Sequence, residues 1–324
     1  MKARAVALAL AGCAALVAAA PSFAEAAFEL KPLGPGVYAA IDRQGKAGAN
    51  AGFVIGSEAV AVVDSFFRED AARALLVEIR KLTPLPIRYV INTHHHIDHV
   101  SGNRLFAEAG ATLVAQRQVL DWLQPENLRL VGGDKASDAR KRQVAGLKAP
   151  QLGYEQQLSL DLGGRRILLQ HLAGHTGGDT AVWVADAQVL FLGDLMWRAS
   201  VPNLIDARVQ RWIPTLDALN TLPAGTAVVP GHGEMANLAD MRTFRDYLRD
   251  LQTQVDAALA QPGEAEQRQQ QVLDVLRARY GQWAYFEGLA RANVRDMFAE
   301  AEGHKRTPEP QPAPSLPMPA AAQR

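Results

Sequence analysis

A β-type run from Ile87 to Ile91 delivers the chain straight into Asn92-Thr93-His94-His95-His96-Ile97-Asp98-His99. On an extended segment alternate side chains point the same way, so His94 and His96 reach one ion together, while His95 points away as a structural or solvent-facing residue. Asp98 and His99 follow at once in a loop and offer a second pair of ligands toward a neighbouring position. Zinc takes imidazole and carboxylate in roughly tetrahedral geometry and needs three or four such groups per ion. The octapeptide therefore obliges the rest of the chain to bring more ligands to it, and that requirement constrains the fold more than any other feature.

Three later strand ends meet it: Ala173-Gly174-His175-Thr176-Gly177-Gly178, Phe191-Leu192-Gly193-Asp194 and Val229-Pro230-Gly231-His232-Gly233. Each sets one metal-binding side chain just after an apolar run and beside glycine, which lets the backbone turn sharply and approach an ion closely. Five histidines and two carboxylates so placed are not the composition of a satisfied core. His171 reads as a packed or supporting group, Thr176 and Asp179 as the ties of the loop that holds His175, and His304 carries no assignment. The only cysteine is Cys13, so thiolate has no part in the ligand set and histidine, carboxylate and water carry the chemistry.

The rest of the pattern is α/β. Short β-type runs at Val37–Ile41, Phe53–Ile55 and Ala59–Val63 alternate with turns, and the glycine-rich stretch from Gln44 to Ala51 reads as a mobile flap. Helical spacing covers Asp70–Leu82, ended by Pro84 and Pro86, then Gly102–Ala109 and Arg117 toward Leu130. Gly132–Pro150 is polar and weakly periodic, a surface excursion. A strand at Thr112–Val114 lies between the last two of these helices; the second half supplies strands at Arg166–Leu172, Thr180–Val184, Val189–Leu192 and Ala227–Val229 and a helix at Val209–Leu222, and hairpins and strand-helix units in each half predict two sheets packed face to face with helices outside. Asn237–Gln261 and Glu266–Glu302 are long amphipathic patterns, a helical extension over 237–304, and the proline-rich stretch 305–324 reads as a disordered tail.

The signature His-x-His-x-Asp-His at His94, His96, Asp98 and His99, with the later Gly-His-Thr, Gly-Asp and Pro-Gly-His-Gly elements, resembles the metallo-β-lactamase superfamily over about Gly36 to Glu234. The resemblance implies a four-layer αββα sandwich over 25–236, with two zinc ions in a cleft at one edge of the sheets. It implies that His94, His96 and His175 bind the first ion, that Asp98, His99 and His232 bind the second, and that Asp194 bridges them. Asp98 is then also the catalytic group that orients water. Asp64 matches a family aspartate that supports ligand histidines, and reads equally as a turn residue at a hairpin end.

Pro202-Asn203-Leu204-Ile205-Asp206-Ala207 and Trp212 resemble the segment after the bridging position in class B β-lactamases. The lactamases with this segment carry a cysteine where Asp194 stands and a lysine, which holds the substrate carboxylate, where Trp197 stands; Arg198 is the available substitute. Asp194 instead matches the general hydrolases of the superfamily, glyoxalase II and lactonases among them. The expected function is a dinuclear zinc hydrolase of an ester, lactone, thioester or amide bond acting on a small molecule. A β-lactam-hydrolysing enzyme and a mononuclear iron dioxygenase of the persulfide type are the alternatives.

Met1-Lys2-Ala3-Arg4, the apolar run Ala5–Ala20 and the small residues of Ser22-Phe23-Ala24 form a leader of the signal-peptide kind, with cleavage after Ala24 and a periplasmic or secreted product. Leu10-Ala11-Gly12-Cys13 also resembles a lipoprotein cleavage box. No further apolar segment is long enough to span a bilayer. Lysine plus arginine equals aspartate plus glutamate at 34 each, and a balanced chain without a basic patch is not drawn to nucleic acid.

Overall fold

A computed structural model describes residues 26–309; the leader read at 1–24, with Cys13, and the tail beyond 309 lie outside the described residues. The chain first lays down a seven-stranded sheet in sequence order: β1 (Phe28–Gly34), β2 (Val37–Asp42), β3 (Ala51–Ile55), β4 (Val60–Val63), β5 (Ile87–Asn92), β6 (Thr112–Gln116) and β7 (Leu152–Tyr154). β1 to β4 pair antiparallel, and β4 to β7 pair parallel. Between the parallel strands lie α1 (Glu69–Leu82), the single turn α2 (Ile97–Val100), α3 (Asn103–Glu108), α4 (Arg117–Leu130) and α5 (Asp138–Ala145).

A second sheet follows, built of β8 (Gln157–Asp161), β9 (Arg166–His171), β10 (Thr180–Val184), β11 (Val189–Trp197), β12 (Ala227–His232) and β13 (Ala236–Asn237), in the spatial order β13-β12-β11-β10-β9-β8. Its one parallel pair, β11 with β12, is bridged by α6 (Val209–Leu219), and α7 (Leu238–Leu259), α8 (Ala265–Tyr280) and α9 (Phe286–Ala301) complete the described chain.

Period-two alternation decides the layering. Ala61 and Val63 of β4 face inward and share a core with Leu169, Val182, Val189 and Phe191 of the other sheet. Their neighbours Val60 and Val62 face outward onto Ala71, Leu75, Ile79 and Phe106. In β11 the outward set, Leu190 and Leu192, packs with Trp212, Met241, Phe244 and Leu248. Strands apolar on both faces require cover on both, and the result is the four-layer αββα sandwich with C-terminal helices.

Four local readings need correction. Gly132–Pro150 is not an irregular excursion: it holds a 3-10 turn at Gly133–Lys135 and α5, which Ser137 caps by accepting from Arg140 N. β1, β7, β8 and the two-residue β13 have no counterpart among the sequence expectations; β7 and β8 have mostly exposed side chains, so no apolar alternation marks them, and β13 is too short to show any. The pattern Glu266–Glu302 is two helices, broken at Gly281–Tyr285, where Ala284 N donates to Ala199 O at 3.0 Å and Val201 N to Ala284 O at 2.9 Å. A contact distant in sequence interrupts a periodic segment there, and periodicity cannot report it. Finally, the stretch read as tail from 305 packs at its start. Lys305 Nζ donates to Ala207 O at 2.7 Å, Arg306 grips both oxygens of Glu126 at 2.8 and 2.9 Å, and Trp122 Nε1 donates to Glu309 O at 3.1 Å. Among the described residues no helix is long and apolar enough to cross a membrane.

Candidate metal centre

The ligand-type residues converge because each leaves a strand, or the turn after one, at the same edge of the sandwich. β5 runs out into His94–His96 and α2, β9 into the turn holding His175, and β12 ends on His232. Asp194 lies inside β11, where the register with β12 shifts on either side of Gly193. Gly193 has φ +49°, and a Cβ there would stand 2.2 Å from Thr93 Oγ1; only glycine lets the bridging position approach the histidine turn so closely.

Among the described residues three groups of ligand-type atoms form, each with all atoms within 4.8 Å of one another: His94, His96, His175 and Asp194; beside it Asp98, His99 and His232; and behind the first, sharing His96 with it, His95, His96 and Asp206. Asp194 divides its carboxylate between the first two. Oδ2 lies 3.2 Å from His175 Nε2 and 3.8 Å from His94 Nε2, while Oδ1 lies 3.1 Å from His99 Nε2 and 3.4 Å from His232 Nε2. Asp98 sits at the rim, its side chain 29% exposed, with Oδ2 3.3 Å from His232 Nε2. All seven residues singled out from the sequence are therefore brought together.

The donor set fits divalent cations. His94 Nε2, His99 Nε2, His232 Nε2 and Asp194 Oδ1 are buried without a hydrogen-bond partner, and each buried polar atom left so costs about 1–3 kcal/mol. Four of them converging are not a satisfied core. Electrostatics divides the histidines into two kinds. Burial pushes His94 well below the ordinary imidazole range and His175 down to about 3, so both rings are neutral lone-pair donors. Burial also opposes charge on His232 and His99, but Asp194 and its neighbouring carboxylates outweigh it, raising His232 to about 9 and His99 well above its usual value. Burial likewise works against ionisation of Asp98, yet His99 and His232 hold it down at about 2.

Behind the ligands, Asp64 is a support and not merely a turn residue. Its Oδ2 lies 2.8 Å from His99 Nδ1 and accepts from Thr93 Oγ1 at 2.7 Å, and Oδ1 accepts from Thr93 N at 2.8 Å. It holds φ +58° to do so, a strained conformation for a non-glycine residue. Asp64→Asn is expected to weaken cation binding at the His99 side by roughly 10–100-fold, the usual effect of losing such a partner, with the fold intact by circular dichroism. Equal zinc affinities for the two proteins in a competition titration would refute the assignment.

In the sequence Asp206 stands only within the Pro202–Ala207 stretch that resembles class B β-lactamases, with no role of its own. Its carboxylate lies 3.1 Å from His96 Nε2 and is paired with Arg129, which turns His96 Nδ1 toward His175 Nε2, 2.9 Å away. An acidic residue 110 positions from its partner leaves no local signal. His95 does not face solvent: it is fully buried, edge-on to Trp122 at 5.7 Å, because Asn127 Nδ2 holds its carbonyl at 2.6 Å. Thr176 and Asp179 do tie the His175 loop, Asp179 accepting from Thr176 N at 2.8 and 3.0 Å, and His171 rests on Asp179 O at 3.1 Å. The glycine-rich stretch after β2 is pinned and not a loose flap. Asp42 accepts from the amides of Gly45, Ala47 and Gly48, and Asn50 bonds Pro230 O and Gly233 O at 2.9 Å each. A cavity of about 490 Å³ lies behind Asp206 and the Gly174–Gly177 turn under Thr307–Glu309.

Fold and site together define an αββα protein with two adjoining histidine-carboxylate clusters at one sheet edge. A family profile described as the metallo-beta-lactamase superfamily matches residues 45–232, more than half of the chain, and the protein belongs to that superfamily. It is similar to a type 2 metallo-beta-lactamase of Bacteroides fragilis, 25% identical over 60% of this chain and 73% of the relative. It is also similar to a hydroxyacylglutathione hydrolase of Methylococcus capsulatus, 28% identical over 55% of this chain and 58% of the relative. A linear primary-alkylsulfatase of a Pseudomonas species is 25% identical and is matched over 40% of its length, so the chain spans about half the length of these last two relatives. Among solved structures, a metallo-beta-lactamase from Pontibacter korlensis has the same fold, with a TM-score of 0.55 at 18% identity over 68% of this chain and 99% of that one.

Proposed function

We propose that the chain is an exported, dinuclear zinc-dependent hydrolase of an ester, lactone, thioester or amide bond in a small molecule. The observation that carries this reading is the divided carboxylate of Asp194, one oxygen turned to each cluster, which is the geometry of a ligand shared by two cations. His94, His96 and His175 would hold one ion and Asp98, His99 and His232 the other. Two such ions, when bound, supply a hydroxide ionised near neutral pH and polarise the scissile carbonyl. Asp98, ionised at the rim of the cleft, accepts and orients a water proton and can pass it to the leaving group. Asp64 and Asp206 keep the His99 and His96 rings in fixed orientations. The relatives whose names include hydrolase, sulfatase and β-lactamase support hydrolysis as the reaction type, and the basic, apolar and small-residue leader supports export.

β-Lactam hydrolysis is the second reading, favoured by the likeness to the Bacteroides fragilis protein. It is disfavoured by Trp197, which stands where the resemblance implies a carboxylate-gripping lysine. The test is elemental analysis of the mature chain combined with hydrolysis assays on a thioester and lactone panel and a chromogenic cephalosporin. Close to two zinc ions per chain with thioester or lactone turnover supports the proposal. Fast cephalosporin turnover promotes the second reading. One iron per chain with oxygen consumption and no hydrolysis overturns both in favour of a dioxygenase.

A further inference from the structure

Four large apolar side chains remain exposed among the described residues: Val77, Leu82, Leu152 and Tyr285. Val77 and Leu82 lie on α1 and Leu152 on β7. Tyr285 alone stands beside the histidine-carboxylate clusters, edge-on to His232 with ring centroids 6.2 Å apart. It is not there by default. Tyr285 adopts φ +64°, ψ +3°, a left-handed conformation, immediately before α9, and strain of this kind in a bulky residue costs about 1–3 kcal/mol. The strain is imposed by the pairing of the α8–α9 turn with the segment after β11, through Ala284 and Ala199. Ala199 itself has φ +48°. Two strained residues on facing segments thus hold an aromatic ring that is 47% exposed and whose hydroxyl makes no hydrogen bond among the described residues.

The ring completes a wall. Trp197 is stacked on His232 at 3.9 Å and 27°, and Tyr285 meets Trp197 edge-on at 5.8 Å and 83°. Trp197 is nearly buried, so Tyr285 presents the accessible face of this corner. No side chain of Trp197-Arg198 supplies a cation to the wall. Arg198 turns to Asp240, with Nε and Nη2 each 3.4 Å from Oδ1, and Asp240 belongs to the capping box that starts α7. An accessible aromatic face beside the clusters, without a guanidinium or ammonium from this segment, favours a flat, uncharged group over a carboxylate.

We propose that Tyr285, backed by Trp197, is the specificity-determining residue of the substrate site and receives a flat, uncharged aromatic group of the substrate, as in an aryl ester or aryl thioester. The proposal rests on reading the clusters as a hydrolytic metal centre, and its test separates the two. The variants are Tyr285→Phe, which keeps the ring and the backbone strain, and Tyr285→Gly, which removes the ring and relieves the strain, so that a folding defect is not built in. Binding of 4-nitrophenol to the metal-free protein is measured by equilibrium dialysis at mildly acidic pH, where the phenol is uncharged, and KM and kcat are measured on 4-nitrophenyl acetate and on an aliphatic thioester with the zinc-loaded protein.

Loss of one aromatic contact is expected to weaken 4-nitrophenol binding and raise KM for the aryl ester roughly 2- to 12-fold in Tyr285→Gly. In the same variant kcat, zinc content and KM for the aliphatic thioester stay near wild type, and Tyr285→Phe behaves as wild type throughout. Unchanged 4-nitrophenol affinity in Tyr285→Gly overturns the inference even if hydrolysis proceeds. Tyr285-dependent binding in a protein that hydrolyses no ester, lactone, thioester or amide of the panel supports this wall while overturning the hydrolase reading.

Discussion

Asp194→Ala is expected, on the dinuclear reading proposed above, to release both cations together and to lower hydrolysis by roughly 10²- to 10⁴-fold. The carboxylate is the one group that faces His175 and His94 with one oxygen and His99 and His232 with the other. Removing a single partner from a buried charged set costs about 3–5 kcal/mol, and at about 1.36 kcal/mol per tenfold the loss spans those orders of magnitude. Asp194→Asn keeps the shape and loses the charge, so it should resemble the alanine variant in stoichiometry. Elemental analysis and initial rates decide the matter. A variant that retains two ions per chain and a tenth or more of the wild-type rate would falsify the bridging role.

Gly231→Ala should be nearly as damaging, although no ligand is touched. A Cβ at Gly231 would lie 2.0 Å from Asp194 Oδ1, 2.7 Å from the carbonyl carbon of Gly193 and 2.8 Å from Asp194 N. Two of these are backbone atoms of β11 and cannot swing aside. Overpacking of this kind costs about 1–3 kcal/mol in a well-packed interior, and here the displaced atom is the shared carboxylate oxygen. We expect a lower melting temperature together with loss of bound zinc. An unchanged melting temperature and full metal occupancy would show that β11 and β12 separate more easily than their packing suggests.

The candidate ligand set was legible because metal chemistry restricts residue types and because each candidate follows an apolar run, with glycine beside His175, Asp194 and His232. His94, His96, Asp98, His99, His175, Asp194 and His232 all fall in the two clusters. What escaped were residues whose meaning arises only across the fold. Asp206 supports His96 from another segment, Tyr285 reaches the site from a turn that looked like helix interior, and Lys305 and Arg306 anchor a stretch whose prolines suggested a free tail. Such partners are chosen by tertiary contact, and sequence periodicity registers only the faces of single elements. The layering was readable from strand patterns, except where strands were exposed, as in β7 and β8.

β11 is the longest strand among the described residues, and all nine of its residues, Val189–Trp197, are buried, with Asp194 near the middle. Opening events in proteins range from near zero cost at the periphery to the full unfolding free energy at the centre. The Asp194 carboxylate is therefore tied to a strand at the costly end of that range, whereas Asp98 rides on α2, a single helical turn at the rim. Exchange of cations between this protein and its surroundings would then proceed through the Asp98 side, at a rate set by a local fluctuation of a few residues, while the Asp194 position persists for as long as the sandwich itself remains folded.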